Sequence, residues 1–188
     1  MKGIDMRIAV AVASLALTLG ACVTGGNYKP VAENLPELKV SFADPTWTGG
    51  AVPAGKQCSN FGGQDESPSF VVENIPAGAN AIIVEYNDLD YGPLSSGGGH
   101  GKIGYWHNGG NKAVLPAVPG YSTAMPNGAF IEAKALSSGQ YASQGYLAPC
   151  SGGRGHKYVA EVKAVYKARK EGEENRLLAK QRIVIGSY

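Results

Sequence analysis

The decapeptide KYVAEVKAVY, residues 157–166, has the clearest secondary-structure signal in the chain. In an extended strand, successive side chains point to opposite faces, so residues two apart share a face. Five apolar or aromatic side chains alternate here and would share one face: Tyr158, Ala160, Val162, Ala164 and Tyr166. Glu161 and Lys163 lie between them and would share the other face. This alternation predicts a strand with one face on an apolar core.

A second alternating segment follows toward the C-terminal end. After the charged stretch KARKEGEENR, residues 167–176, apolar residues alternate from Leu177 to Ile185, with Gln181 as an exception. We therefore expect a hairpin that closes the domain, with the charged stretch as its turn. The alternative is a helix over residues 167–180, because alanine, lysine, glutamate and leucine favour helices.

Three shorter segments also have the composition of strands. They are LKVSF at 38–42, SFVVE at 69–73 and AIIVEY at 81–86, each bounded by glycine, proline or asparagine. Residues 107–128 are rich in glycine and proline and are predicted as loop. The pattern predicts a mainly β fold, an antiparallel β-sandwich of two packed sheets with few short helices.

The composition limits the class of protein. The 188 residues include 27 glycines and 11 prolines, which favours many turns over a bundle of long helices. The formal net charge is +2 at pH 7. A charge so close to zero gives no indication of nucleic-acid binding, so no nucleic-acid partner is expected.

The N-terminal region has the pattern of a secretory signal peptide. Lys2 and Arg7 precede an apolar run from Ile8 to Leu19, and small residues follow. The run is shorter than the roughly 20 residues that a membrane-spanning helix needs. The stretch LGAC, residues 19–22, resembles the lipobox of bacterial lipoproteins, with Cys22 as the lipidated residue. The alternative is an ordinary signal peptide followed by an incidental cysteine.

These features predict three parts of the chain. Residues 1–21 would be a signal peptide, residues 22–36 a lipidated tether, and residues 37–188 the folded domain. The protein would be exported to the bacterial cell envelope and anchored to a membrane through Cys22, facing the periplasm or the cell surface. Export reaches an oxidising compartment, where Cys58 and Cys150 could pair. The spacing of these two cysteines does not show whether they meet, so a disulfide and two separate free thiols are equally consistent with the sequence.

Two glycine-rich loops each precede a histidine. His100 follows three glycines, and His156 follows the stretch SGGRG, residues 151–155. Asp88 and Asp90 lie two residues apart where an apolar strand is expected to end. Successive backbone N–H groups in such loops can converge on an anion, and imidazole adds a hydrogen-bonding group near neutral pH. The hypothesis is an anion site in which the glycine N–H groups face the ligand and both aspartates act as supports or as acceptors at the rim. The alternative is two unrelated histidines in turns.

Four motifs in order resemble the phosphatidylethanolamine-binding proteins, the group that includes the Raf kinase inhibitor proteins and short bacterial members. DLDYGP at 88–93, followed by His100, is similar to the family's Asp-Pro-Asp-x-Pro signature. APCSGGRGHKY at 148–158 is similar to its second signature, Gly-Pro-Pro and then His-Arg-Tyr. CSNFGGQDESP at 58–68 and LLAKQRIVIGSY at 177–188 resemble an upstream bacterial motif and the final strand.

The resemblance implies a β-sandwich with a pocket for phosphate-like or carboxylate groups. Carried over residue by residue, the ligand-binding set consists of Asp88, Asp90, Pro93, His100, Pro149, His156 and Tyr158. The resemblance also brings the segments of Cys58 and Cys150 to the same rim, which implies a disulfide between them. No catalytic residue, metal or cofactor is implied.

The sequence departs from both signatures. Leu89 and Cys150 replace signature prolines, Ala148 replaces a glycine, and Gly92 is an extra residue before Pro93. Proline fixes φ, so its loss makes the pocket walls less preorganised. The identity of the ligand is therefore less well indicated than the presence of a pocket.

Three classes of function are consistent with these residues. The favoured one is a membrane-tethered protein that binds a small anion or a phospholipid head group. The second is a metal-dependent hydrolase in which two histidines and two aspartates hold the metal. The third is an inhibitor or scaffold of a protein partner.

Overall fold

The computed structural model describes residues 26–188 and is mainly β. Within these residues, nine strands form a six-stranded sheet in the order β1-β9-β8-β4-β5-β7 and a three-stranded sheet in the order β2-β3-β6. The strands are β1 Lys29–Pro30, β2 Lys39–Phe42, β3 Phe70–Glu73, β4 Ala81–Asp88, β5 Lys102–Trp106, β6 Lys112–Leu115, β7 Ala129–Ala133, β8 Lys157–Tyr166 and β9 Arg176–Ser187. Neighbours are antiparallel except β1, which runs parallel to β9. The predicted fold class is confirmed.

Helical structure in residues 26–188 is limited to three short 3₁₀ turns, at Ser59–Phe61, Gly92–Leu94 and Gly139–Tyr141. In this part of the chain, no helix has the length and apolar character needed to span a bilayer. The signal peptide predicted for residues 1–21 and the lipidation predicted at Cys22 lie outside the described residues.

The predicted closing hairpin is confirmed by β8 and β9. Their pairing extends from Lys157 opposite Ser187 to Tyr166 opposite Arg176, with two register shifts. Residues 167–175 form the connection, so the alternative helix over 167–180 is wrong. The alternation of apolar residues in both segments outweighs the helix propensity of the charged stretch, because pairing the strands buries one whole face.

The core lies between the two sheets. The inward faces of β4 and β8 contribute fully buried side chains, among them Ile82, Val84, Ala160 and Val162. The three-stranded sheet contributes residues that pack against the same cluster, such as Phe70, which is fully buried. The alternation predicted for residues 157–166 therefore separates a core face from an outer face.

Part of the region predicted as loop is a strand. Residues 107–128 contain β6, whose four residues pair with β3 from Lys112 opposite Glu73 to Leu115 opposite Phe70. Leu115 is buried and Val114 is exposed, so the strand alternates in the usual way. The prediction was wrong here because four residues between glycine-rich and proline-rich turns give too short a pattern. Pairing with β3 stabilises the strand.

The N-terminal part of the described chain packs on the outer face of the large sheet. Tyr28 and Leu35 cover a small apolar cluster that includes Ile83 and Val165. Glu132 accepts hydrogen bonds from the Gly26 backbone N–H at 2.7 Å and the Tyr28 hydroxyl at 2.9 Å. Part of the segment predicted as a tether is therefore in contact with the folded domain.

Glu132 is the main polar contact of this segment. Burial alone would raise the pKa of its carboxyl, but hydrogen bonds from Lys167, Gly26 and Tyr28 outweigh burial and hold the pKa below its usual value. The Lys167 ammonium lies 2.8 Å from the second carboxylate oxygen, so the charge of Glu132 is compensated.

The predicted pairing of Cys58 with Cys150 is confirmed as a disulfide. The two Cα atoms are 5.2 Å apart and the residues are separated by 92 positions in the chain. The Cys58 backbone N–H also donates to the Pro149 carbonyl at 3.0 Å. Together, these contacts hold the segment before β8 against the 3₁₀ turn at Ser59–Phe61.

Removal of the disulfide should lower the free energy of unfolding by about 4 kcal/mol, because closing a loop of this length restricts the unfolded chain. The measurement is urea denaturation of the wild-type protein with and without dithiothreitol. The control is a Cys58→Ala, Cys150→Ala double variant, which should be destabilised and insensitive to the reductant. Equal stability of oxidised and reduced wild-type protein would contradict the prediction.

Candidate functional site

A cavity of about 300 Å³ opens at the end of the large sheet where β4 ends and β8 begins. Antiparallel pairing sets Asp88, the last residue of β4, opposite Tyr158 near the start of β8. The loops that follow β4 and precede β8 therefore meet at one sheet end. Four of the predicted ligand-binding residues line this cavity: Asp88, Pro93, His100 and His156.

Asp88 and His156 form the central polar pair of the site. The His156 Nδ1 and an Asp88 carboxylate oxygen are 2.8 Å apart, and the Asp88 side chain is almost fully buried. The other oxygen of Asp88 accepts from the Asp90 backbone N–H at 3.0 Å. Because Nδ1 is occupied by the carboxylate, the Nε2 of His156 is the ring nitrogen left for a ligand.

Asp90 has a structural contact instead of a place in the cavity wall. One of its carboxylate oxygens accepts from the Lys157 backbone N–H at 2.7 Å, next to the start of β8. The Leu89 backbone N–H donates to the Lys157 carbonyl at 2.9 Å. The Asp88–Asp90 segment is thereby fixed to Lys157, the first residue of β8, and both aspartates act as supports in this geometry.

His100 is held by a reciprocal pair of contacts with Leu147. Its Nδ1 lies 2.9 Å from the Leu147 carbonyl oxygen, and its own carbonyl accepts from the Leu147 backbone N–H at 2.9 Å. The side chain is 3% exposed, and this burial lowers the pKa of the imidazole. A neutral ring that donates from Nδ1 has an acceptor at Nε2, and that atom is buried without a protein partner.

The glycines before His100 have a different role from the one predicted. The N–H groups of Gly98 and Gly99 donate to the Asn87 side-chain oxygen at 2.9 and 3.1 Å, so they do not face the cavity. A side chain at Gly99 would overlap the backbone of Leu94. Glycine is required there because the loop passes directly against the Gly92–Leu94 turn, and the hypothesis of an anion-facing first loop is wrong.

The second glycine-rich loop is arranged differently. Gly152, Gly153 and Gly155 have φ values of +69°, +77° and +79°, in the left-handed region that favours glycine. Among the hydrogen bonds of residues 26–188, none is donated by the backbone N–H groups of residues 152–155. Ser151 and Arg154 from this loop line the cavity. Donors that are free of protein acceptors are therefore available next to His156.

Pro149 and Tyr158 lie behind the cavity. With His100, Tyr86 and Tyr146, they border a small hollow between core side chains. The Tyr158 hydroxyl accepts from the Cys150 backbone N–H at 3.2 Å, and its ring packs edge-on against the His100 ring at 5.3 Å. Burial raises the pKa of the Tyr158 hydroxyl. Tyr158 thus supports the position of His100 and of the second loop.

The four acidic and histidine side chains do not assemble into one metal-binding cluster. Asp90 is directed to the β8 backbone, and the Nδ1 atoms of both histidines are occupied by protein acceptors. Within residues 26–188, no group of three or more histidine, cysteine, aspartate or glutamate side chains is placed to hold a metal ion.

Sequence reasoning missed several cavity residues. Arg154 is the one that adds charge, and it lies between the glycines of the second loop. The apolar part of the lining includes Tyr91, which lies at an unspecified position of the DLDYGP motif, and Leu136 and Tyr141, which lie outside every motif. The GGRG stretch was a usable signal for Arg154, because a cation within a flexible loop beside a histidine suits an anion. Leu136 and Tyr141 had no comparable signal.

Comparison with known proteins was made by sequence and by structure. No protein-family model matches the chain, and no curated protein matches it. Among solved structures, Escherichia coli YbcL, described as a new member of the mammalian PEBP family, aligns with a TM-score of 0.50 and 22% identity, over 80% of this chain and 98% of its own. A Chlamydia trachomatis protein described as a homologue of phosphatidylethanolamine-binding protein aligns with a TM-score of 0.48 and 15% identity, over 81% and 97%.

The likeness to YbcL, together with the sheet order and the site at the end of β4, defines the class of fold. The chain has the fold of the phosphatidylethanolamine-binding protein family, as the sequence motifs predicted.

The lowered pKa of His100 predicts a dependence of stability on pH. In the unfolded chain this imidazole has the ordinary pKa of about 6.5. Because its pKa is lower in the folded protein, the unfolded chain binds a proton at pH values where folded His100 stays neutral. The free energy of unfolding should therefore fall as the pH drops below about 6.5, by up to about 1.4 kcal/mol per pH unit.

The measurement is urea denaturation between about pH 5 and pH 7 in a buffer without phosphate. A His100→Gln variant keeps a donor for the Leu147 carbonyl but cannot titrate, so its pH dependence should be shallower. An identical slope in the wild type and the variant would show that His100 is not responsible.

Proposed function

We propose that this protein binds a small phosphate-like anion, free or as part of a phospholipid head group, in the cavity between the β4–β5 and β7–β8 connections. The observation that supports the proposal most directly is that Arg154 and His156 line one cavity, in a loop whose N–H groups at residues 152–155 have no protein acceptor. We propose a binding protein rather than an enzyme, with no cofactor.

Each of these groups has a defined part in the proposal. Arg154 supplies a permanent positive charge and several N–H donors in a planar arrangement that fits phosphate or carboxylate oxygens. Asp88 orients the His156 ring so that Nε2 is directed to the ligand. The N–H groups of the second loop complete the set of donors, as backbone N–H groups in left-handed glycine turns do in other anion sites.

His100 has a more specific part than a general anion contact. In its neutral form the Nε2 atom accepts a hydrogen bond, so it would pair with a ligand oxygen or nitrogen that still bears a proton. On protonation, the same nitrogen becomes a donor.

We further propose that the protein is exported and anchored to a membrane of the cell envelope through Cys22. The signal-like N-terminus and the LGAC stretch support this location. The disulfide between Cys58 and Cys150 supports it as well, because disulfides persist in oxidising compartments outside the cytosol.

Titration with inorganic phosphate, followed by NMR of the histidine ring protons, should shift the signals of His100 and His156. An Arg154→Gln variant should bind phosphate about tenfold more weakly, because a charge-assisted hydrogen bond is lost. An Arg169→Gln variant is the matched control, since Arg169 is exposed in the β8–β9 connection, outside the cavity lining. Ring signals that do not move on titration would refute the proposed site.

Mass spectrometry of the protein from a bacterial membrane fraction should find residues 1–21 removed and a lipid on Cys22. A Cys22→Ser variant should lose the lipid and be released from the membrane fraction. A wild-type protein without lipid, or a variant that remains attached to the membrane, would refute the anchor while leaving the anion site open to its own test.

A further inference from the structure

We propose that the outer face of the six-stranded sheet, around Trp106 and Phe130, rests on the phospholipid surface of the membrane that holds the lipid anchor. The inference rests on the proposed lipidation of Cys22 and goes beyond it, because it states which face of the domain meets the bilayer. Two observations support it: the place where Gly26 is attached to the domain, and the aromatic side chains that lie beside that place.

Gly26 is fixed to the outer face of the large sheet. Its backbone N–H donates to Glu132 of β7 at 2.7 Å. Further along, the Lys29 backbone N–H donates to the Asn175 carbonyl at 3.1 Å, and β1 pairs with β9. The chain from Gly26 onward therefore belongs to the domain, and only residues 23–25 lie between Gly26 and Cys22.

This short connection limits which face a lipid on Cys22 can reach. A fully extended chain spans at most about 3.6 Å per residue, so residues four apart have Cα atoms no more than about 14 Å apart. The two sheets of a sandwich are already about 10 Å apart, and a path to the far side also has to pass both outer layers of side chains. A bilayer that holds the lipid would therefore meet the large sheet, with the three-stranded sheet on the side away from it.

A layer of side chains leads from this attachment point to Trp106. The Lys167 ammonium lies 2.8 Å from the carboxylate of Glu132, the residue that binds Gly26, and 5.6 Å from the centroid of the Phe130 ring. Phe130 in turn packs against Trp106, with ring centroids 4.7 Å apart. The aromatic pair is therefore part of the same face as the attachment of the N-terminal segment.

Trp106 is the exposed member of this aromatic pair. Its side chain is 45% exposed, and the Arg169 guanidinium lies 5.4 Å from the centre of its ring. Tryptophan favours the boundary between water and lipid, because the ring is apolar and the indole N–H can donate to a polar group. Trp47, the other tryptophan of the chain, is 3% exposed and packs against Phe42. Contact with a membrane would remove the exposed Trp106 ring from water.

The cavity remains accessible in this orientation. Trp106 pairs with Ala81 at the start of β4, whereas Asp88 lies at the other end of that strand. At about 3.3 Å per residue, the two ends of β4 are roughly 23 Å apart. Contact through Trp106 therefore leaves the cavity open to water, and membrane contact and anion binding can be tested separately.

The experiment measures tryptophan fluorescence of the full lipidated protein in phosphatidylcholine vesicles whose acyl chains are brominated, since bromine quenches by contact. Trp106 should lose most of its emission relative to vesicles without bromine. A Trp106→Phe variant should show no loss, because Trp47 is buried. The matched control adds Val114→Trp to that variant, since Val114 is 64% exposed on β6 of the three-stranded sheet, and the emission of the introduced tryptophan should persist.

Co-sedimentation of the protein with the vesicles separates this inference from the anchor. If the protein co-sediments and Trp106 is quenched no more than the introduced tryptophan, the proposed face is refuted while the anchor stands. If the protein does not co-sediment, the anchor and the face are both refuted. For a soluble Cys22→Ser variant without vesicles, a blue shift of the Trp106 emission with rising protein concentration would assign this face to a second copy of the chain and overturn the membrane contact.

Discussion

The antiparallel pairing of β4 with β8 is the contact on which the cavity depends. Its register extends from Ala81 opposite Val165 to Asp88 opposite Tyr158, along the whole of β4. A shift of one residue would turn the core face of β8 outward and would move Asp88 away from its position opposite Tyr158. The stability of the core and the geometry of the polar pair therefore follow from the same register, and apolar burial determines it.

Residues 145–150 connect the loop that contains His100 with the turn that follows Cys58. The reciprocal contacts between His100 and Leu147 join them to the start of β5, and the disulfide joins Cys150 to the turn after Cys58. These contacts come from parts of the chain far apart in sequence. They replace, in part, the rigidity that the missing signature prolines would supply, because a covalent link and paired hydrogen bonds also restrict the backbone.

Charge is distributed so that the buried groups are compensated and the exposed cation is free. Asp88 is 4% exposed and is satisfied by His156 and the Asp90 backbone, and burial disfavours protonation of His100. Arg154 forms no ion pair within residues 26–188. A cavity with satisfied acidic groups and an unpaired guanidinium favours a negatively charged ligand, which supports the proposed binding of an anion.

The amino-acid sequence by itself determined the mainly β class, the hairpin of β8 and β9, and the chemistry of Asp88, His100 and His156, because these depend on local alternation and on residue type. It did not determine β6, whose four residues need β3 as a partner. It also did not predict that the side chain of Asn87 accepts hydrogen bonds from the glycine N–H groups before His100. Nor did it predict that Arg154 and Leu136 line the same cavity. Only the tertiary structure decided these points, since each one is a contact between segments whose separation in the chain gives no local pattern.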